Sequence, residues 1–326
     1  MARRTTPTFA HRLEFAGFLL VDLLVRLMGW RIARALGRLL GLLFFRIDAR
    51  HRRVVRENLR NADLGLDEAA VQALSRACFE HFGDLLFATL WLLHSSPEDV
   101  RRMTRLKGRE NLEAAFREGK GVIGLTGHFG NWELMALALS VEGFPLAAIG
   151  RELDNPLLEA RLHRFRTRFG NSVIAKDGAV RGSIKALKTG QMVGFLLDQD
   201  ALTGGVFVRF VGRWASTFAT AGSLAVRFDL PVLPIFSRIE PDGTLTVTAY
   251  PPFHAENTGD PARDAWTATQ RMTLALEQRV REEPRQWFWM HRRFKTQPGP
   301  GQPELPPAAW LEGQAEAVGS DAPVAS

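Results

Sequence analysis

The residues best equipped for chemistry lie in GVIGLTGHFGNWELM, residues 121–135. Here an imidazole, His128, and a carboxylate, Glu133, stand close in sequence between glycines 127 and 130. A carboxylate on one imidazole nitrogen fixes the tautomer and stabilises the imidazolium as it forms. The other nitrogen is then able to take a proton from an attacking hydroxyl. On one continuous helix, a separation of five residues turns a side chain through about 500°, so the two groups would point roughly 140° apart. They meet only if His128 precedes a helix and Glu133 sits on its first turn. Asn131 suits the N-cap of that helix, and the glycines permit the bend. The free N–H groups at the helix start are placed to hold developing negative charge.

The surrounding texture supplies the elements that must carry this pair. From residue 121 onward, short apolar runs alternate with helical stretches. Strands are expected at 121–126, 145–150, 192–198, 206–210, 231–236 and 244–249. Helices are expected near 131–142, 155–169, 179–189, 217–228 and 261–282. Such alternation predicts an α/β sheet with helices packed on it. Residues 50–118 read as helical, because their apolar positions keep a three-to-four spacing.

Residues 14–45 are the most apolar part of the chain, yet Asp22, Arg26, Arg34 and Arg38 interrupt them at multiples of four. That stripe predicts a helix lying in a membrane interface with its arginines reaching toward headgroups, or a spanning helix in which Arg26 pairs with Asp22. The charges inside the apolar segment exclude a cleavable signal peptide. Residues 1–60 hold 13 arginines, four acidic residues and no lysine. Mixed with Leu, Phe and Trp, this basic segment suits an anionic membrane better than a nucleic acid. Cys78 is the only cysteine, which excludes an intrachain disulfide and a cysteine metal cluster. The divisions expected are a membrane anchor at 1–45, a catalytic domain at 46–296 and a disordered Pro/Ala-rich tail at 297–326. No G-x-S-x-G elbow, Walker A loop, H-E-x-x-H or strand-borne G-x-G-x-x-G occurs, so other common chemistries lack support.

Several motifs together resemble the late acyltransferases of bacterial lipid A biosynthesis, whose signature is a His-x4-Asp/Glu pair. They are RENL at 56–59, GHFGNWE at 127–133, GRELDNPLLEARLHRFRTRFG at 150–170, IKALKTGQMVGFLLDQD at 184–200, the FVGRWAS loop at 210–216 and WFWMHRRFK at 287–295. The resemblance covers most of residues 15–295. It implies a glycerolipid acyltransferase-like mixed sheet flanked by helices, with an N-terminal membrane-associated segment. It also implies an acyl-carrier-protein or acyl-CoA donor, a lipid hydroxyl as acceptor, no covalent acyl-enzyme and no metal or cofactor. The expected place of action is the cytoplasmic face of the bacterial inner membrane. His128 becomes the base and Glu133 its partner. A family arginine falls on Arg166, with Arg168 or Arg164 as the alternative positions, and an acidic residue at a strand end falls on Asp198. Asn131 and Arg213 complete the candidate substrate contacts.

The acceptor implied is a lipid A precursor or related glycolipid. A different phospholipid, a phosphatidylinositol-mannoside-type acceptor, or a non-catalytic membrane protein of the same fold are the alternatives. Basic residues crowd the stretch from Arg151 to Lys188, including Arg161, Arg164, Arg166 and Arg168, and this density predicts a phosphate-bearing substrate. WFWMHRRFK reads either as an interfacial aromatic belt or as a core cluster with a charged edge.

Overall fold

In the computed structural model, which describes residues 6–300 and 305–311, helices dominate the first hundred residues and an α/β sheet follows. The order begins α1 (Phe9–Ile47), α2 (Ala49–Arg60), α3 (Glu68–Leu92), α4 (Pro97–Met103), β1 (Thr104–Lys107) and α5 (Arg109–Arg117). Then come β2 (Val122–Thr126), α6 (Trp132–Val141), β3 (Leu146–Gly150), α7 (Pro156–Arg166), β4 (Ser172–Ala175), α8 (Ala179–Lys188) and β5 (Met192–Leu196). The remainder is β6 (Val206–Phe210), β7 (Arg213–Thr217), α9 (Thr220–Phe228), β8 (Val232–Ile239), β9 (Leu245–Ala249), α10 (Pro261–Glu282) and α11 (Ala308–Leu311).

Seven strands form one sheet in the order β1-β9-β8-β2-β5-β3-β4. Neighbours run parallel except for the β8–β9 pair. β2 is buried at every position, as expected of a central parallel strand covered on both faces. Its alternate residues serve two cores. Ile123 and Leu125 share one with Met272 and Leu276 of α10, whereas Val122 shares the other with Leu134 and Met135 of α6. Each such side chain contributes about 1.5–3 kcal/mol by leaving water. The short edge strands β1 and β4 escape the sequence pattern because each is four residues long and only partly buried.

The FVGRWAS stretch is a hairpin rather than a loop. β6 and β7 pair antiparallel, and Val211 and Gly212 turn the chain with positive φ of 44° and 80°. Helix α10 satisfies the outer edge of β6. Gln270 accepts from the Arg209 amide at 2.7 Å and donates to the Arg209 carbonyl at 3.0 Å, and Glu277 accepts from the Val211 amide at 2.7 Å.

Helix α1 breaks at Gly29, whose φ of 73° is outside the helical region, and both pieces lie against the body of the protein. Gly37, Gly41 and Gly83 let α1 and α3 touch backbone to backbone: a Cβ on Gly37 would stand 2.4 Å from the Gly83 carbonyl oxygen. The polar stripe does not behave as expected. Asp22 and Arg34 turn inward, because α3, α7 and the α3–α4 turn offer them counter-ions. Arg34 forks onto Asp84 with two bonds of 2.6 Å. Asp22 meets His94 at 2.9 Å and Arg161 at 3.1 Å, not Arg26. Arg26 is exposed. The opposite face of α1 leaves Phe9, Leu13, Leu20, Leu27, Leu39 and Ile47 largely in solvent, each at least 60% exposed. Among the described residues no helix is both long and apolar enough to cross a membrane. Of the tail, residues 301–304 and 312–326 lie outside the described residues; within it, Trp310 of α11 packs 5.7 Å from Trp266 of α10.

Candidate active site

Strand register brings the central residues together. In the β2–β5 pair, Thr126 stands opposite Leu196 and the two strands run parallel. Two residues beyond each partner come His128 and Asp198, which therefore emerge side by side at the carboxyl ends of adjacent strands. Open α/β sheets place ligand sites at such strand ends. The Asp198 carboxylate meets His128 Nδ1 at 2.8 Å through Oδ1 and accepts the His128 backbone amide at 2.6 Å through Oδ2. The Trp287 indole N–H also donates to Oδ2, at 2.8 Å. Asp198 is 1% exposed. Burial alone would raise its pKa, but the charge and hydrogen bonds of His128 outweigh this and hold it below the usual carboxylate range. Burial likewise disfavours the His128 imidazolium, yet the Asp198 carboxylate, helped by Glu133, lifts its pKa above the ordinary 6.5. An ionised Asp198 makes Nδ1 the donor, so Nε2 carries the lone pair.

The loop before α6 is held by backbone pairing. Gly130 N–H donates to the Gln286 carbonyl at 3.0 Å, and Phe288 N–H donates to the His128 carbonyl at 3.0 Å. Gly130 has φ +60°, and a Cβ there would stand 1.9 Å from the Ser237 carbonyl oxygen. A Cβ on Gly127 would meet Leu276 methyls at 2.8 Å and Asp198 Oδ2 at 3.0 Å. Gly130 is therefore required by both its left-handed φ and its close approach to backbone, whereas a side chain at Gly127 would have to displace the Leu276 methyls. Asn131 is the N-cap of α6 and accepts from Leu134 N–H at 2.9 Å. Being 1% exposed, it positions the helix and has no face open to substrate. The His128 ring rests edge-on against Trp132, centroids 5.0 Å apart.

The carboxylate bonded to His128 is thus Asp198, where the sequence pointed to Glu133. Glu133 sits in the first turn of α6, and the guanidinium of Arg166 on α7 engages it. Arg166 Nε lies 3.1 Å from both Glu133 oxygens, and Nη2 also bonds Oε1. The fork expected to grip a substrate phosphate is therefore already occupied by Glu133. Arg168 is likewise engaged: its Nη1 donates to the Leu92 and Leu93 carbonyls at 3.1 Å each, and Nη2 to that of Ser95. These carbonyls lie at and just beyond the C-terminal end of α3, which attracts a cation. Arg161 is paired with Asp22. The arginine-rich stretch from 151 to 168 in large part braces helices. Arg213 lies elsewhere, on β7, with its guanidinium 4.1 Å over the Phe294 ring.

WFWMHRRFK proves to be core. Trp287, Trp289 and Arg293 are each at most 1% exposed. Arg293 ties down the loop after Asp198, donating to the Gln199 carbonyl at 3.1 Å and the Ser216 carbonyl at 2.6 Å. Burial pulls its pKa down to about 10, so it stays charged near neutrality. His291 lies 6.1 Å from His128, centroid to centroid, and burial lowers its pKa to about 4, keeping it neutral. The indole of Trp287 is the contact that sequence reasoning missed. Its only signal was an aromatic run too apolar for a surface. Among the described residues, no three His, Cys, Asp or Glu side chains are grouped to hold a metal ion.

Among the described residues His128 has Nδ1 on a buried carboxylate and no hydrogen-bond partner at Nε2, an arrangement with the chemistry to act as a general base. Residues 6–296 match the sequence profile of the family described as bacterial lipid A biosynthesis acyltransferase. The chain is 29% identical over 266 residues, 81% of its own length and 85% of the relative's, to a lipid A biosynthesis lauroyltransferase of Escherichia coli (strain K12). It is 27% identical to a palmitoleoyltransferase of the same strain, covering 73% and 78% of the two chains. A myristoyltransferase of that strain is also 27% identical, with 64% of each chain covered. The chain belongs to the bacterial lipid A biosynthesis acyltransferase family and is an acyltransferase.

Proposed function

We propose that this enzyme moves a fatty-acyl chain from a thioester donor, acyl-carrier protein or acyl-CoA, to a hydroxyl of a lipid A precursor or related glycolipid. The observation that carries the reading is the His128–Asp198 contact, which leaves Nε2 basic. Nε2 takes the proton of the acceptor hydroxyl while that oxygen bonds to the thioester carbonyl carbon. The tetrahedral intermediate collapses, the carbon–sulfur bond breaks, and the imidazolium returns its proton to the departing thiolate. The amides of Trp132 and Glu133 at the start of α6, unlike that of Leu134, are left to stabilise the developing oxyanion. Asp198 holds the ring and stabilises its charge. Glu133, fixed by Arg166, adds negative potential near the same imidazolium. The enzyme works at the cytoplasmic face of the inner membrane, with the exposed apolar face of α1 sunk into the interface.

Mass spectrometry of the lipids of a strain lacking this gene tests the reading. The glycolipid should lose the mass of one acyl chain and regain it when the wild-type gene returns. An unchanged glycolipid beside an altered glycerophospholipid would move the activity to a different acceptor.

A further inference from the structure

The cations that the sequence offers for a phosphate are found away from α7. A cleft of about 540 Å³ lies between α2 and the end of the 287–295 segment. Arg50, Arg53, Arg213, Arg292 and Lys295 line it, against one carboxylate, Glu57. Several arginines elsewhere are matched with acids: Arg34 with Asp84, Arg60 with Glu68, Arg161 with Asp22, Arg166 with Glu133. Among the described residues none of the five cleft cations has a carboxylate within ion-pair distance. Like charges gathered around a concavity repel one another, and an arrangement of this kind is relieved by an anion from outside. Arg213 is held in place over Phe294, so part of the site is set before anything binds.

The cleft is tied to the catalytic residues by one short stretch of chain. Trp287 donates to Asp198, and five residues later Arg292 faces the cleft. Asn58 of α2 fixes the stretch between them, donating to the Trp289 carbonyl at 2.9 Å and the His291 carbonyl at 3.1 Å. The cleft lining begins at Ala49, two residues after the end of α1, where Leu43, Phe44 and Ile47 are exposed. Cations beside an exposed apolar rim suit an amphiphile whose polar head is anionic. Four of the five are arginines, whose planar fork matches phosphate oxygens.

We infer that this cleft is a phosphate-binding subsite, and that it seats a phosphate of the glycolipid acceptor while the acceptor hydroxyl reaches His128. The inference rests on the acyl-transfer reading above and adds to it the charged group by which the acceptor is recognised. It moves the phosphate contact from Arg166 and Arg168, both engaged within the fold, to Arg50, Arg53, Arg213 and Arg292.

The test uses the full chain in detergent micelles and the double variant Arg53→Ala/Arg292→Ala, which alters two exposed side chains with no partner to orphan. Turnover is measured with a phosphorylated glycolipid acceptor and with the same acceptor after phosphatase treatment. The variant should raise KM for the phosphorylated acceptor roughly tenfold or more, since charge-assisted contacts are lost. Its kcat, its KM for the dephosphorylated acceptor and its KM for the donor should hardly change. A rise confined to acyl-CoA or acyl-carrier protein would assign the cleft to the donor and overturn the inference. An equal rise for both acceptors, the mark of a general attraction to anionic lipid, would also overturn it, as would no rise. Calorimetry with inorganic pyrophosphate, which needs no turnover, separates the two readings. Saturable binding by the wild type that the variant loses supports the cleft even if no acceptor is acylated, whereas an active wild type that fails to bind pyrophosphate overturns the cleft alone.

Discussion

Asp198 grips His128 at two points, through the ring at 2.8 Å and through the backbone amide at 2.6 Å. One carboxylate thereby sets the path of the loop and the tilt of the imidazole together. Three donors converge on it, because the Trp287 indole completes the set.

Asp198→Asn should therefore cost activity and move the pH profile. An amide presents N–H groups to at least one of those three donors, so the ring loses its orientation and kcat should fall by about 10²–10⁴-fold. The base form of His128 grows as pH rises through its native pKa, which lies above 6.5 in the wild type. Without the Asp198 charge, burial is left as the largest influence, so the rising limb of kcat/KM should shift to lower pH. A limb that stays in place would show that Asp198 does not govern the base.

The same pair should mark the stability curve. The folded pKa of Asp198 is depressed, so the stability it confers is full above the ordinary carboxylate value near 3.8 and is lost as pH falls below it. The folded pKa of His128 is raised, so its share is full below 6.5 and is lost as pH rises through the native value. Denaturant melts across pH should show both slopes in the wild type, and both flattened in Asp198→Asn.

Glu133 and Arg166 should behave as one unit. Their side chains are 15% and 26% exposed, so removing either leaves a largely buried charge alone. Each single alanine variant should cost about 2–4 kcal/mol, and the double variant less than the sum, with a coupling of about 1–3 kcal/mol in a double-mutant cycle. Arg166→Lys keeps the charge but not the fork, and should lower kcat without raising KM for the acceptor. A pure rise in KM would instead make Arg166 a substrate contact.

Much of this fold was legible because its central strands are continuous apolar runs. VIGLT and MVGFL carry their own boundaries, and Asn131 signals the helix that follows it. The partner of His128 was harder to read. Glu133 is near in sequence, whereas Asp198 is near only once β5 is known to lie beside β2 in register. Sequence order does not state strand order, and the most local carboxylate took the role. The arginines misled for a related reason. Density in RLHRFRTRF looked like a phosphate cradle, but Asp22, Glu133 and the end of α3 had prior claim on three of them. β1 and β4 were invisible because four-residue edge strands have too few buried positions to make a pattern.

The exposed face of α1 should anchor the protein through apolar contact. Full-length protein should sediment with vesicles and resist release by high salt, and the double change Leu20→Glu/Leu27→Glu should increase the soluble fraction sharply. These two leucines are 60% and 74% exposed, so the fold should survive. Deleting residues 1–45 is a poorer probe, since it strips Arg34 from buried Asp84, a loss of about 3–5 kcal/mol. If the double variant sediments as fully as the wild type, the anchor lies elsewhere.

The most direct test of the catalytic account is turnover by His128→Ala, measured with acyl-carrier-protein or acyl-CoA donor and the glycolipid acceptor on protein whose melting profile shows it folded. The account predicts that kcat falls by about 10²–10⁴-fold, the usual worth of a general base, with acceptor binding retained. Near-wild-type turnover in that folded variant would contradict it.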